Sequence, residues 1–318
     1  MKRWCCTLIF VLAALMQCKA KDSLVVVFWN IENFFDYTYN GGGESDKEFS
    51  STGNRHWSKK RFYAKCDAIA KSIMWMGDRY GRMPDLIGLA EVENKGVLIK
   101  LLKYTVLRKY DYSIIHYDSG DRRGIDVAFL YRKSVMNPLC ITLKTPEYDG
   151  RKLPTRDILH VRMHLSYGRE VIDFIVNHHP SKFGGESISE ERRNAAMTTL
   201  KMLCDSIGNQ NIVAMGDFND NPEGPAFEII ESSLTNKGLE FHKRGEGTIR
   251  YEGRWDLIDM FLLGSGLDSI SEMYICRMPF HIVRENKHPG ERPFRTYSGP
   301  RYIGGISDHL PIVLKISS

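Results

Sequence analysis

The stretch NIVAMGDFND, residues 211–220, decides how the rest of the chain is read. Ile212 to Met215 is a short apolar run, the mark of a buried strand. Gly216, Asp217, Phe218, Asn219 and Asp220 follow, and a glycine among short polar side chains forces a turn. A carboxylate and an amide, Asp217 and Asn219, are thereby set at a strand end, the edge of an α/β sheet where ligand sites gather. Standing alone, the stretch would read as a strand closing in an Asx-turn, with Asp217 capping its own backbone. Other segments repeat the pattern, and the repetition favours a site.

Upstream, the β-branched run Leu24 to Trp29 ends in Asn30-Ile31-Glu32-Asn33. Asp85 to Ala90 ends in Glu91-Val92-Glu93-Asn94. Ile172 to Val176 ends in Asn177-His178-His179-Pro180-Ser181-Lys182, and this cluster of histidines, hydroxyl and lysine leans toward phosphate binding. Between these strands, the spacing of Phe62, Cys66, Ile69 and Ile73 predicts a helix from a Ser58 cap to about Met76. Helices are also expected at Val97–Lys109 and over 189–207. Tyr112–His116 and Ile125–Tyr131 read as strands around a charged turn, Asp118 to Arg123. Arg156 opens a further strand, Asp157–Leu165, where its guanidinium serves either as a phosphate fork or as half of a surface ion pair.

Downstream, Pro222 to Ser232 reads as a short helix. Trp255 to Leu263 reads as one strand that carries Asp259 within it, and a carboxylate in such a run needs a partner. Asp308 and His309 stand at the head of the last strand, Leu310–Ile316. If that strand runs antiparallel to the strand of Asp259, Asp259 and His309 can meet. The carboxylate would then orient the imidazole and raise its pKa.

The 318 residues suffice for one large α/β domain, and no repeat or linker divides them. The reading is an export signal at residues 1–20 and one domain at 21–318. Lys2 and Arg3 precede an apolar run, Leu8 to Met16, and then Gln17-Cys18-Lys19-Ala20, the three regions of an export signal. The run is too short to span a bilayer. The expected location is periplasmic or extracellular, with lipid attachment at Cys18 as the alternative. Removing residues 1–20 takes away Lys2, Arg3 and Lys19 and no acid, so a net charge of +5 becomes 41 basic against 39 acidic groups, or +2. So small an excess does not by itself point to nucleic acid. Cys66, Cys140, Cys204 and Cys276 lie far apart with no CxxC, which argues against zinc. One disulfide and four buried thiols both fit. No protein partner is evident.

The candidate residues are Asn30, Glu91, His178, Asp217, Asn219, Asp259, Asp308 and His309. Oxygen donors from Glu91 and Asp308 suit a hard cation, Mg²⁺ or Mn²⁺. Histidines and amides suit an anionic ester. No GxSxG elbow, HExxH or P-loop is present, which excludes serine hydrolases, zincins and P-loop NTPases of those motifs.

Five of these segments, Asn30-Ile31-Glu32-Asn33, Glu91-Val92-Glu93-Asn94, Asn177-His178-His179-Pro180-Ser181, Gly216-Asp217-Phe218-Asn219-Asp220 and Ser307-Asp308-His309, stand in an order that resembles the endonuclease/exonuclease/phosphatase superfamily, the DNase I-like proteins. The resemblance spans about residues 24–316. It implies a four-layer α/β sandwich, two packed central sheets flanked by helices. It implies a divalent-metal cluster of Asn30, Glu91 and Asp308. Asp217 and Asn219 would orient the nucleophile and hold the scissile phosphate, and His178 would contact that phosphate. His309 would be the catalytic histidine, oriented by Asp259, and Arg156 a looser match to a phosphate-binding arginine.

The resemblance leaves the substrate open. The leading expectation is an exported, Mg²⁺-dependent endonuclease acting on nucleic-acid phosphodiesters. The alternative is a phosphatase or phosphodiesterase acting on inositol phosphates or phospholipids, including a sphingomyelinase-like activity. An inactive binding module is a minor third, since no motif position is lost. The inositol-phosphatase signature is missing, and the abasic-endonuclease pattern is only echoed by Trp255-Asp256-Leu257-Ile258-Asp259. A basic-aromatic stretch, Arg292 to Tyr297 with Arg301 and Tyr302, either grips a nucleic-acid backbone or packs on itself.

Overall fold

In a computed structural model, residues 23–167, 170–182 and 186–317 are described. The expected export signal at 1–20, with Cys18, lies outside them. Twelve strands form two six-stranded sheets. They are β1 (Ser23–Phe34), β2 (Leu86–Val92), β3 (Tyr112–His116), β4 (Asp126–Arg132), β5 (Met136–Lys144), β6 (Ile158–Leu165), β7 (Val171–His178), β8 (Ile212–Asp217), β9 (Thr235–Asn236), β10 (Asp259–Leu263), β11 (Ser271–Ile275) and β12 (Ile312–Ser317). The first sheet has the order β11-β12-β1-β2-β4-β3, the second β9-β10-β8-β7-β6-β5. Each is mixed. Only β1 with β2, and β8 with β7, run parallel.

Period-two alternation assigns the layers. Val26 and Phe28 of β1 point into the seam between the sheets, against Val176, Met215 and Phe261 of the second sheet. Val25, Val27 and Trp29 point outward, onto α1 (Lys59–Tyr80) and α2 (Lys95–Tyr104) through Phe62, Ile69, Ile73, Leu98 and Leu101. On the far side, Ile175, Ala214 and Leu262 pack on Met197, Leu200 and Leu203 of α3 (Glu186–Ile207). The result is the expected four-layer α/β sandwich. Among the described residues no helix is long and apolar enough to cross a membrane. Cys66, Cys204 and Cys276 are buried free thiols, and Cys140 is exposed and free.

Local signals hold up where the chemistry is short-range. Ser58 caps α1 by accepting a hydrogen bond from Arg61 N, and Gly81, in the left-handed region at φ 82°, ends it. Two readings are corrected. Trp255 to Leu263 is not one strand: Arg254–Asp256 pairs with Ile249–Tyr251 as a hairpin, Leu257 and Ile258 interrupt, and Asp259 opens β10. Asp259 is therefore at a strand terminus, like Asp217 and His178. Pro222 to Ser232 is α-helical only over Pro225–Glu228: Pro222 and Gly224 precede it, and the chain continues through hydrogen-bonded turns after it.

Gly216 sets the spacing of the two parallel strands at the decisive end. A Cβ added there would lie 2.6 Å from the Asn177 carbonyl oxygen and 2.8 Å from the Asn177 Cβ on β7. The neighbouring backbone cannot yield without moving Asp217, one residue on. Gly216→Ala is expected to destabilise the fold by about 1–3 kcal/mol. Urea denaturation checks this; an unchanged midpoint would contradict it.

Candidate active site

Register alone lines up three side chains. Asp217, the last residue of β8, sits opposite Asp259 on β10 and beside His178 on β7. Asp217 is 2 % exposed and Asp259 1 % exposed. Two neighbouring acids at this depth require compensation, and much of it comes from the other sheet. Asn30 Nδ2 donates to Asp217 Oδ2 at 3.0 Å. His309 Nδ1 lies 2.8 Å from Asp259 Oδ2, while its Nε2 lies 3.8 Å from Asp217 Oδ2. His178 Nε2 is 3.6 Å from the same oxygen. Asn219 N donates to Asp217 Oδ1 at 3.0 Å, the Asx-turn of the sequence reading.

The expected meeting of Asp259 and His309 occurs, but by a different route. The last strand belongs to the first sheet and Asp259 to the second, so the pair joins across the seam rather than along a shared ladder. Asp308 and His309 lie in the turn before β12. That turn is fastened by Ser307 Oγ donating to the Asn30 carbonyl at 2.6 Å. His309 N donates to Ser307 Oγ at 3.0 Å, and Trp29 Nε1 donates to the His309 carbonyl at 2.9 Å.

The electrostatics follow from burial. Burial and then the adjacent Asp259 push the Asp217 carboxyl up to about 7, against His309 and Asn30. Burial alone would lower His309, but Asp259, with Asp217 and Asp308, outweighs it and holds the imidazole well above its ordinary value. Burial, with Arg156 and Arg123 nearby, holds His178 well below its own. His309 is thus the protonated member and His178 the neutral one. Asp217, Asp259 and His309 offer ligand atoms within 4.8 Å of one another. The 2.8 Å contact hydrogen-bonds His309 to Asp259, and the other ring nitrogen of His309 faces Asp217 at ion-pair distance, 3.8 Å.

A second, all-oxygen group lies alongside. Asn30 ends the regular pairing of β1 with β2, beside Ala90, and Glu91 follows. A bulge at Glu91 breaks the alternation, so Val92 returns to the α1 side with Leu89. Glu32, Asn33, Glu91 and Asn219 all hold left-handed backbone, at φ 48°, 50°, 62° and 52°. Strain in non-glycine residues collects at functional sites. Glu91 Oε2 accepts from Asn33 N at 2.6 Å. The buried Lys65 amine donates to the Glu32 carbonyl and to Thr296 Oγ1, and it feels Glu32, Glu91 and Asp308 at once. One amide and a set of carboxylates are hard donors, so Asn30, Glu91 and Asp308 fit a divalent cation of the Mg²⁺ type. Glu32 lies within electrostatic reach of Asp308, and burial, then Asp308, raise its carboxyl to about 7.

Arg156 is not a free phosphate fork. It is 7 % exposed, and its guanidinium donates to the His178 and His179 carbonyls and to Asp121 Oδ2. It shapes the loop that presents the histidines. Asn219 Nδ2 is likewise tied to the His179 carbonyl at 2.9 Å. Glu32, Lys65 and Arg123 were not among the candidates, and Arg295 entered only as part of the basic-aromatic stretch. A signal existed for two of them. Glu32 follows Asn30 by two positions, and Lys65 falls on the apolar face of α1 between Phe62 and Ile69, where a lysine has no reason to be unless it is paired.

No curated protein matches the sequence. Among solved structures, an endonuclease/exonuclease/phosphatase family protein from Bacteroides thetaiotaomicron superposes with a TM-score of 0.58 at 14 % identity, over 92 % of this chain and 97 % of that one. A mannosyl-6-phosphatase from Bacteroides thetaiotaomicron gives 0.57 at 12 %, over 92 % and 98 %. D. rerio TDP2 complexed with a single-strand DNA product gives 0.52 at 15 %, over 93 % and 99 %. At such identities these likenesses speak for the fold. The endonuclease/exonuclease/phosphatase family model matches residues 25–318, nearly everything described, and the chain belongs to that family.

Proposed function

We propose that this protein is an exported, Mg²⁺-dependent hydrolase that cleaves nucleic-acid phosphodiesters. The observation that carries the hydrolase reading is the group Asp259–His309–Asp217, two acids and an imidazole brought together across the seam beside an all-oxygen donor group. Asn30, Glu91 and Asp308 would hold a divalent cation, which would supply charge neutralisation to a bound phosphoryl group. Asp217, when ionised, is placed to orient water and take its proton. His309, kept protonated by Asp259, donates to a phosphoryl oxygen as charge develops there. His178, held neutral, turns its Nε2 toward the same Asp217 oxygen at 3.6 Å and so stands next to the carboxylate that would take the proton. The nucleic-acid substrate is supported by the TDP2 neighbour, which was captured with a DNA product. Export is supported by the charged, apolar and small-residue order of residues 1–20.

A phosphatase reading has one observation in its favour, the mannosyl-6-phosphatase neighbour. Supercoiled plasmid separates the two. Purified protein is expected to nick it only with Mg²⁺, and His309→Ala should lower the rate by at least about 10²-fold with the fold intact. Release of phosphate from a sugar or inositol phosphate without any nicking would reverse the order of the readings.

The titrations give a sign. Asp217 must be ionised, so activity should rise with pH through about 7. His309 must be protonated, so activity should fall again at a pH well above 6.5. The two limbs belong to coupled groups rather than to single residues. Asp259 is the main source of the raised imidazole, so Asp259→Asn should move the alkaline limb to lower pH. A kcat/KM profile checks both, and a flat profile from about pH 5 to 9 would rule out this division of roles.

A further inference from the structure

A second group of metal-ligating side chains stands at the base of the charged turn between β3 and β4, apart from the candidate active site. His116 is the last residue of β3 and Asp126 the first of β4. His116 pairs with Ala128, and Asp126 lies two residues before Ala128, so the two side chains share one face of the sheet. Asp118 comes back toward them from the turn, its Oδ1 3.9 Å from His116 Nδ1. Each of the three offers a ligand atom, and these atoms lie within 4.8 Å of one another.

The imidazole is what sets this group apart from an ordinary cluster of acids. The His116 side chain is 2 % exposed, and its Nε2 is buried with no hydrogen-bond partner. Nε2 faces Asp126 Oδ2 at 3.4 Å without a hydrogen bond between them. A buried polar atom left in this way is costly and calls for an explanation. Asp126 is held in place by Ser119, whose N and Oγ donate to Oδ1 at 2.9 and 2.5 Å, so Oδ2 remains for the imidazole side. Two ligands about 2.0–2.1 Å from a tetrahedral zinc stand about 3.3 Å apart, so the gap from Nε2 to Oδ2 already spans one edge of such a site. Asp118, with its side chain 86 % exposed, has room to swing inward as a third ligand. One imidazole and two carboxylates also differ in kind from the all-oxygen group of Asn30, Glu91 and Asp308. A nitrogen donor favours a late first-row cation over Mg²⁺.

We propose that His116, Asp118 and Asp126 form a second cation site, which takes Zn²⁺ in preference to Mg²⁺ and clamps the base of the 117–125 turn. The turn is joined to the candidate active site at three points. Asp121 Oδ2 accepts from Arg156 Nη1 at 3.0 Å, Arg123 Nη2 donates to Asn33 Oδ1 at 2.6 Å, and Asp126 pairs with Val92, the residue after Glu91. A cation bound at its base ties the ends of β3 and β4 together and fixes the turn from which Asp121 and Arg123 reach out. Its role is to hold structure and involves no substrate, so it stands whether or not the hydrolase reading does.

The test is calorimetric titration of Zn²⁺ into the full chain carrying His309→Ala, with Mg²⁺ in excess. That background removes the imidazole from the other His-carboxylate group among the described residues, Asp217, Asp259 and His309. One equivalent of Zn²⁺ is expected to bind. D118N should weaken it at least about tenfold, and H116Q should abolish it. Because Asp118 is exposed, D118N reads the site without a risk to the fold. Zn²⁺ should also raise the melting temperature of the parent and not of H116Q, and slow hydrogen exchange at the amides of Ser119 to Gly124. No Zn²⁺ bound in the presence of Mg²⁺ would leave His116 and Asp126 as a plain ion pair and overturn the proposal. Binding that survives both D118N and H116Q unchanged would overturn it as well, since the cation would then sit elsewhere.

Discussion

Asp217 and Asp259 face each other on neighbouring strands, almost wholly removed from water. Two like charges so placed repel strongly, and leaving either unpaired would cost several kcal/mol. The rest of the site answers this constraint. His309 and Asn30 reach across from the opposite sheet, His178 stands on the next strand, and the Asn219 amide closes the turn. Because these partners are divided between the sheets, the seam must close before the acids are compensated. Packing of Phe28, Val176, Met215 and Phe261 in that seam is therefore coupled to the chemistry at its edge.

The same logic orders the cations. Charges needed to stabilise the scaffold are buried: Lys65 beneath Glu32, and Arg156 beneath the His178–His179 backbone. Arg123 and Arg295, by contrast, are half exposed, the first beside Glu91 and the second beside Asp308 and Glu32. Left-handed backbone at Glu32, Asn33, Glu91 and Asn219 turns side chains toward the site that a regular strand would send elsewhere. Local strain and buried charge are both held by a large apolar sandwich, which explains why so small a site needs so long a chain.

Much of this was legible in the sequence. Apolar runs ending in Asn30, Glu91, His178 and Asp217 are short-range signals, and the strands lie where those runs predict. The Ser58 cap and the left-handed Gly81 bound α1 for equally local reasons. What sequence could not supply was partnership at long range. It foresaw that Asp259 and His309 would meet but put them in one sheet, because periodicity does not say which sheet a strand joins. It left Arg156 between a phosphate fork and a surface ion pair, because a guanidinium at a strand mouth looks alike whether it faces solvent or, as here, Asp121 and two buried carbonyls. Arg123 passed as one charge among several in a turn, and only the fold gives it its partners, Asn33 and Glu91.

The central claim is that Asp217 and His309 act as one unit across the seam. A double-mutant cycle on hydrolysis by Asp217→Asn, His309→Ala and the combined variant tests it most directly. The account predicts strong non-additivity, with the double variant scarcely slower than the slower single one. Losses that simply multiply would mean that the two residues act independently, and the claim would have to be abandoned.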